Sequence, residues 1–239
     1  MFGTPIDIAR GVCSGTLDLV YPPFCLVCGD ETGDFLCAQC IEKIDIIEPP
    51  YCRKCGIPCE SFYCRACNER EFAFESACSA GVFDGALRTA IHALKYDRHL
   101  VMADPLAQLM ARCFPTTYLA SKVDAAIPIP IHRSRMLERG FNQSAQLARI
   151  FCKRVSLPCI LNVLYKSRRT RPQVDLSYDE RAANIEGALA VKNAEDVVGK
   201  NVLLLDDVIT TGSTLSEAAK TLKAAGAASI YGYTLARSV

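Results

Sequence analysis

A chain of 239 residues, half of them hydrophobic and 22% charged, has the make-up of a folded protein with one or two cores and excludes a disordered chain. Its formal net charge of +1 excludes a global electrostatic pull toward nucleic acid or membrane, so any such role must fall to local basic clusters. No apolar stretch approaches the ~20 residues of a membrane span. The opening segment, MFGTPIDIARGVCSGTLDLVYPP, lacks a basic start and carries Asp7, Arg10 and Asp18 among its apolar residues, which does not suit a signal peptide. A helix is expected there, and a cytoplasmic location, where thiols stay reduced.

Cysteine dominates the next segment of the chain. Of 14 cysteines, eight form four C-x-x-C pairs: Cys25/Cys28, Cys37/Cys40, Cys52/Cys55 and Cys64/Cys67. Eight residues separate the two pairs in each half, and the second half repeats the first 27 positions later. A C-x-x-C turn aims two thiolates at one ion, and two such turns complete a closed tetrahedral Cys₄ shell, so two structural Zn²⁺ sites are expected. Gly29 and Gly56 follow the leading pairs, where a positive φ eases the turn. Pairing within each repeat is the expected arrangement, with an interleaved one as the alternative. Cys59 is read as a spare buried thiol that could replace a neighbouring ligand. Cys13, Cys78, Cys113, Cys152 and Cys159 stand in apolar surroundings and read as core residues. With few large apolar residues between 25 and 67, this module is expected to need metal to fold. Residues 1–70 thus form one unit, and 71–239 another.

The second unit alternates strand-like and helix-like segments, the pattern of an α/β domain with a largely parallel sheet. ACSAGVF reads as a strand, and GALRTAIHALKYD as a helix through Leu87, Ile91 and Leu94. LVMADPLAQLMARCF reads as helical, VDAAIPIP as a short buried strand, and NQSAQLARIFCKRV as a helix capped by Asn142. PCILNVLYK suggests a strand, SRRTRPQVDLS a loop, YDERAANIEGAL a short helix and NVLLLDD a strand. TLSEAAKTLKAAG then reads as a helix ended by Gly226, and SIYGYTLAR as the closing strand.

Where NVLLLDD passes into VITTGSTL, a strand meets a helix across a turn of small, hydroxyl-bearing residues. In α/β proteins this is where ligands bind, because a helix N-terminus offers unpaired N–H groups and the positive end of a dipole. Taken singly, Asp207 and Thr211 are ordinary capping residues. Together, Thr210, Thr211, Gly212, Ser213 and Thr214 form a cradle for a phosphate monoester. The carboxylates Asp206 and Asp207 would repel a phosphate, so they suit sugar hydroxyls or indirect contact with Mg²⁺.

This segment resembles the phosphoribosyl diphosphate (PRPP) signature of type I phosphoribosyltransferases. With the cysteine pairs, IHALKY, IPIPIHRSRMLERGFNQS and RTRPQVDLSYDERAANIEGAL, nearly the whole chain resembles the ComF/GntX family. The resemblance implies a type I phosphoribosyltransferase-like α/β fold behind a zinc module. It implies Asp206 and Asp207 on the ribose hydroxyls as the catalytic pair, and the 210–214 loop on the 5′-phosphate. Ile131 and His132 would then offer backbone N–H groups to the diphosphate, with Arg133 and Arg135 adding charge; a plain surface loop is the alternative. KSRRTRPQ falls where a flexible loop closes over the site, bringing Arg168, Arg169 or Arg171 to the leaving diphosphate. Lys95 is either a phosphate contact or, as expected, a partner of its helix's C-terminal dipole. Arg139, Gly140, Asn142 and Gln143 mark the family without an assigned role. His92, His99 and His132 stand at no spacing that suggests a triad. The implied function is Mg²⁺-dependent transfer of a 5-phosphoribosyl group. The alternative is a PRPP- or nucleotide-binding factor in DNA uptake, with single-stranded DNA or DNA-uptake proteins as partners.

Overall fold

The computed structural model describes residues 24–116, 119–171 and 177–239. The expected N-terminal helix, Cys13 and positions 172–176 of the arginine-rich loop lie outside the described residues.

The cysteine module comes first. In each half a C-x-x-C turn is followed by a hairpin-like return and a five-residue helix, α1 (Ala38–Glu42) and α2 (Arg65–Glu69), capped by Cys37 and Cys64. The sulfurs of Cys25, Cys28, Cys37 and Cys40 lie within 4.8 Å of one another, as do those of Cys52, Cys55, Cys64 and Cys67. Pairing is therefore within each repeat. Sγ–Sγ separations of 3.8 Å (Cys28–Cys37) and 3.7 Å (Cys55–Cys64) match the edge of a tetrahedron with metal–sulfur bonds of ~2.3 Å. Burial opposes the Cys25 thiolate, yet the backbone N–H groups of Cys37, Cys28 and Val27 bring its pKa down to about 6. Both quartets are structural zinc sites. Cys59 belongs to neither: it is only half-buried and donates to the Ser61 carbonyl at 3.1 Å.

The second unit is built on β1 (Ser76–Val82), α3 (Gly85–Lys95), α4 (Ala103–Cys113), β2 (Ala125–Pro128), α5 (Arg133–Arg139), α6 (Gln143–Val155), β3 (Leu164–Lys166), α7 (Tyr178–Ile185), β4 (Leu189–Val191), β5 (Asn201–Ile209), α8 (Ser213–Ala224) and β6 (Ser229–Arg237). Strands β1, β6, β5 and β2 form one sheet in that order, all parallel. Its central strands are apolar on both faces, as a sheet covered by helices on each side requires. Leu203, Leu205, Tyr233 and Leu235 pack with α3, α4 and α6, and Val202, Leu204 and Ile230 pack with α8.

The expected strand at PCILNVLYK shrinks to β3, which pairs antiparallel with β4 outside the main sheet. Its earlier half makes only a bridge, Cys159 to Ala126, so the apolar residues there are partly buried without a ladder. The expected helix YDERAANIEGAL ends at Ile185, and Leu189–Val191 pairs as β4 instead. The loop expected at IPIPIHRSR is cut short by α5, whose N-cap His132 accepts from the Ser134 N–H at 3.1 Å. Among the cysteines read as core, Cys152 is buried, while Cys78, Cys113 and Cys159 are partly covered.

Candidate functional site

A cleft of about 840 Å³ opens at the carboxyl ends of the parallel strands. Strand β5 brings Asp206 and Asp207 to its floor, then turns into α8 through Thr210, Thr211 and Gly212. Gly212 sits at φ +80° as the N-cap, a conformation that favours glycine, and the Phe72 ring lies 3.1 Å from where a Cβ would stand, so a side chain there would also press on that ring. Thr211 and Ser213 hydroxyls are 2.9 Å apart, and the Ser213 N–H reaches Thr211 Oγ1 at 3.3 Å. All five residues expected to form the cradle line the cleft.

Successive residues of a strand face opposite ways, and the two acids accordingly meet different partners. Asp207, 5% exposed, lies on the α3 side, where Lys95 Nζ is 2.8 Å from Oδ1. Its buried Oδ2 has no hydrogen-bond partner among the described residues. Asp206 Oδ1 accepts from the Ser144 hydroxyl at 2.7 Å and from the Asp207 N–H at 2.9 Å. Burial, and then the charge of Asp207, raise the Asp206 pKa to about 7 against the pull of Ser144 and Lys95. The pair therefore shares fewer than two negative charges near neutrality.

Cations surround the acids. Seven Lys and Arg side chains line the cleft against three carboxylates, so the space between them suits a polyanion. Ile131 and His132 contribute from the turn after β2 and Arg135 from the first turn of α5, while Arg133 is exposed and outside the lining. Of the arginines in the expected closing loop, Arg169 lines the cleft. Arg168 instead donates to the carbonyls of Asn184 (3.2 Å) and Glu186 (2.9 Å), and the Arg171 backbone N–H is held by Asn184 Oδ1 at 3.0 Å.

Sequence reasoning did not foresee the part that four residues play here. Lys95, expected as a partner of its helix's C-terminal dipole, pairs with Asp207. Lys166, at the end of β3, has its pKa lowered to about 8 by burial and then by Arg135 and Arg168, with Asp206 opposing. Arg181 lines the cleft and carries a buried Nε with no partner among the described residues. Ser144 holds Asp206. The one signal available for Lys166 is its place as the first cation after an apolar run; for Lys95 and Arg181 the signal is long-range and absent from local spacing.

Comparison with known proteins agrees with this architecture. A double zinc ribbon domain matches residues 16–68, and a phosphoribosyl transferase domain matches residues 136–238. Competence protein F of Haemophilus influenzae is 29% identical over 98% of this chain and 93% of its own length. DNA utilization protein YhgH of Escherichia coli strain K12 is 31% identical, over 64% of this chain and 68% of its own. Competence protein ComFC of Bacillus subtilis is 38% identical, over 47% of this chain and 44% of its own. The sheet is that of a type I phosphoribosyltransferase-like fold, set behind a double zinc ribbon.

Proposed function

The chain belongs to the ComF family, and from that premise we propose that its cleft binds PRPP with Mg²⁺ and transfers the 5-phosphoribosyl group, releasing diphosphate. The observation that carries this reading is the juxtaposition of the Asp206–Asp207 pair with the Thr210–Thr214 turn at the N-terminus of α8, on the floor of a cationic cleft. The acids accept from the ribose hydroxyls, with the unpartnered Asp207 Oδ2 as the first available acceptor. The turn and the helix N-terminus hold the 5′-phosphate. Arg135, Lys166 and Arg169, with the Ile131–His132 turn, face the diphosphate.

When bound, Mg²⁺ supplies neutralising charge to the diphosphate oxygens. The residues do the rest by position. As the C1–O bond breaks, diphosphate keeps the electron pair and the ribose ring becomes oxocarbenium-like. The neighbouring carboxylates stabilise that positive charge, and the lone pair of an incoming nitrogen closes the new bond from the opposite face. A partly protonated Asp206 must ionise to play its part, so binding releases a proton near pH 7.

Calorimetric titration of PRPP with and without Mg²⁺, repeated on Asp206→Asn/Asp207→Asn, tests the reading. Saturable, Mg²⁺-strengthened binding lost in the double variant is expected; heat that is independent of both would sink it. A pH series supplies a second check. Because the Asp206 pKa is raised above its ordinary 3.8 to about 7, the folded protein binds the extra proton between these values. Its contribution to stability is therefore largest near pH 4 and declines as pH rises toward 7. Asp206→Asn mimics the neutral acid, so the ligand-free variant should melt closest to the parent at about pH 4 and increasingly above it as the pH rises to 8.

A second reading is favoured by the names of the relatives, competence and DNA utilization proteins. In it, the same cationic cleft serves DNA handling in transformation, with single-stranded DNA along its basic rim. Salt-sensitive binding of an oligonucleotide, weakened by Arg135→Ala and Arg169→Ala, is the expected sign; binding unchanged by either would dismiss it.

A further inference from the structure

After β3 the chain runs past the cleft as residues 167–171, in neither helix nor strand, with Arg168, Arg169 and Arg171 close together. Like charges at that spacing repel one another, so the segment takes its course from outside partners. Helix α7 and the turn after it supply them. The Ser167 N–H donates to the Ala188 carbonyl at 2.9 Å. Arg168 then reaches the carbonyls of Asn184 and Glu186, at the end of α7 where carbonyls lack helical partners and the dipole is negative. The Asn184 side chain holds the other end: its Oδ1 accepts from the Arg171 N–H and its Nδ2 donates to the Arg171 carbonyl, both at 3.0 Å. One amide thus satisfies both backbone groups of one residue, as a neighbouring strand would. Between these anchors Arg169 and Thr170 line the cleft, and Thr170 is only 8% exposed.

We propose that Asn184 is a positioning residue: by clamping the Arg171 backbone to α7 it fixes the 168–171 segment and holds Arg169 toward the diphosphate end of the ligand. The proposal rests on the reading of the cleft as a phosphoribosyl site and adds what aims one of its cations. Asn184 stands outside the cleft lining and acts through Arg169. An arginine on a free segment gives up its other positions when it binds, whereas one already held gives up less. The residue type fits the task, because a side-chain amide carries a donor beside an acceptor, while an ionised carboxylate of the same reach offers acceptors alone.

The test is calorimetric titration of the full chain with inorganic diphosphate plus Mg²⁺ and, separately, with ribose 5-phosphate. Asn184→Ala should weaken diphosphate about 10-fold and leave ribose 5-phosphate within about 2-fold of the parent. Arg169→Ala should show the same split. The double variant Asn184→Ala/Arg169→Ala should then lose no more than Arg169→Ala alone, because a residue that acts through another has nothing to add once that one is gone. Losses that multiply, or equal weakening of both ligands, overturn the proposal, since a helix merely destabilised would behave that way. Ribose 5-phosphate bound by a parent that ignores diphosphate overturns it too. Asn184→Gln, with its amide at a longer reach, carries the same cycle should Asn184→Ala not fold. If neither ligand binds the parent, the phosphoribosyl reading fails, and brief trypsin digestion read by mass spectrometry decides the clamp. Cutting between Arg169 and Thr170 that is about 10-fold faster in the variant, with the rest of the chain cut as in the parent, upholds it. An unchanged rate at that bond rejects it.

Discussion

Between the leading cysteines of the first zinc ribbon stand Leu26 and Val27; at the same positions of the second stand Arg53 and Lys54. The two backbones are otherwise near copies. Leu26 N–H to Phe35 O and Arg53 N–H to Phe62 O both measure 2.9 Å, and Gly29 N–H to Cys25 O and Gly56 N–H to Cys52 O both measure 2.8 Å. Their attachments differ in balance, although the segment after the first ribbon also bonds to β1, Ile47 N–H to Ala80 O at 3.0 Å and Val82 N–H to Asp45 O at 2.8 Å. The first ribbon joins the main core through Leu36 and Ile44, with Leu26, Val27 and Ile41 packed against the same cluster as Leu87 and Ile91. The second meets the sheet through polar bonds: Ala77 N–H to Lys54 O at 2.8 Å, Arg237 to Cys55 O at 2.9 Å, and Lys54 Nζ to the Phe74 carbonyl. From there the chain runs straight to the Thr210–Thr214 turn, where Phe72 covers Gly212 and the Ala73 N–H donates to Ser216 Oγ at 3.0 Å. Metal shapes both modules alike. What each one supports is decided by the residues between its ligands.

The largest effect that could break this contrast comes from the metal itself. Cys25→Ser and Cys52→Ser should each reduce bound zinc from two ions to one, measurable by chelator-coupled release. Loss of the first ion loosens the apolar core and should lower the melting temperature more. Loss of the second should weaken ribose 5-phosphate binding by about 10-fold or more, since the Phe72–Gly212 contact loses its anchor. Identical consequences at both sites would erase the distinction.

Glycine gives a smaller, sharper comparison. Gly29 and Gly56 are repeat-equivalent, with φ +83° and +72°, yet a Cβ at Gly29 meets open space and one at Gly56 comes within 2.7 Å of Ala77 O and 2.8 Å of Cys78 Cα. Gly29→Ala should cost only the left-handed strain, about 1 kcal/mol. Gly56→Ala adds a clash with backbone that cannot yield, for a total of roughly 3 kcal/mol in urea unfolding. Equal costs would mean that the second ribbon does not press on β1.

Much of this architecture is legible in the sequence wherever the chemistry is local. A C-x-x-C turn and a strand running into TTGST each state their geometry within a few residues. The difference between the ribbons is also legible, in Leu26-Val27 against Arg53-Lys54, though its meaning needs the core. The partners of the acids are hidden because they come from elsewhere: Lys95 lies at the end of α3, Ser144 at the start of α6. Ile160 and Val163 resemble a strand because burial alone makes an apolar run, with or without a ladder. α5 escapes because seven residues bounded by His132 and Gly140 hold too little periodicity to show.

Arg237 gives the smallest effect and the finest test of how the second ribbon is held. It is 5% exposed at the end of β6, donates to the Cys55 carbonyl, and has an Nε with no partner among the described residues. Zn²⁺ with four thiolates carries a net charge of −2, which a buried guanidinium offsets. At Cys55 burial raises the thiol's pKa to about 11, and the attraction of Arg237 is the strongest influence against it. Arg237→Met keeps much of the volume and removes the charge. The second zinc should then be held about 10-fold more weakly, or roughly 1.4 kcal/mol. The first ribbon has apolar neighbours in place of this cation, so its zinc should be released at the parent's rate. Two ions that leave Arg237→Met together would show that the ribbons lose metal as one unit; sequential release, second before first, follows if polar bonds and core packing hold them separately.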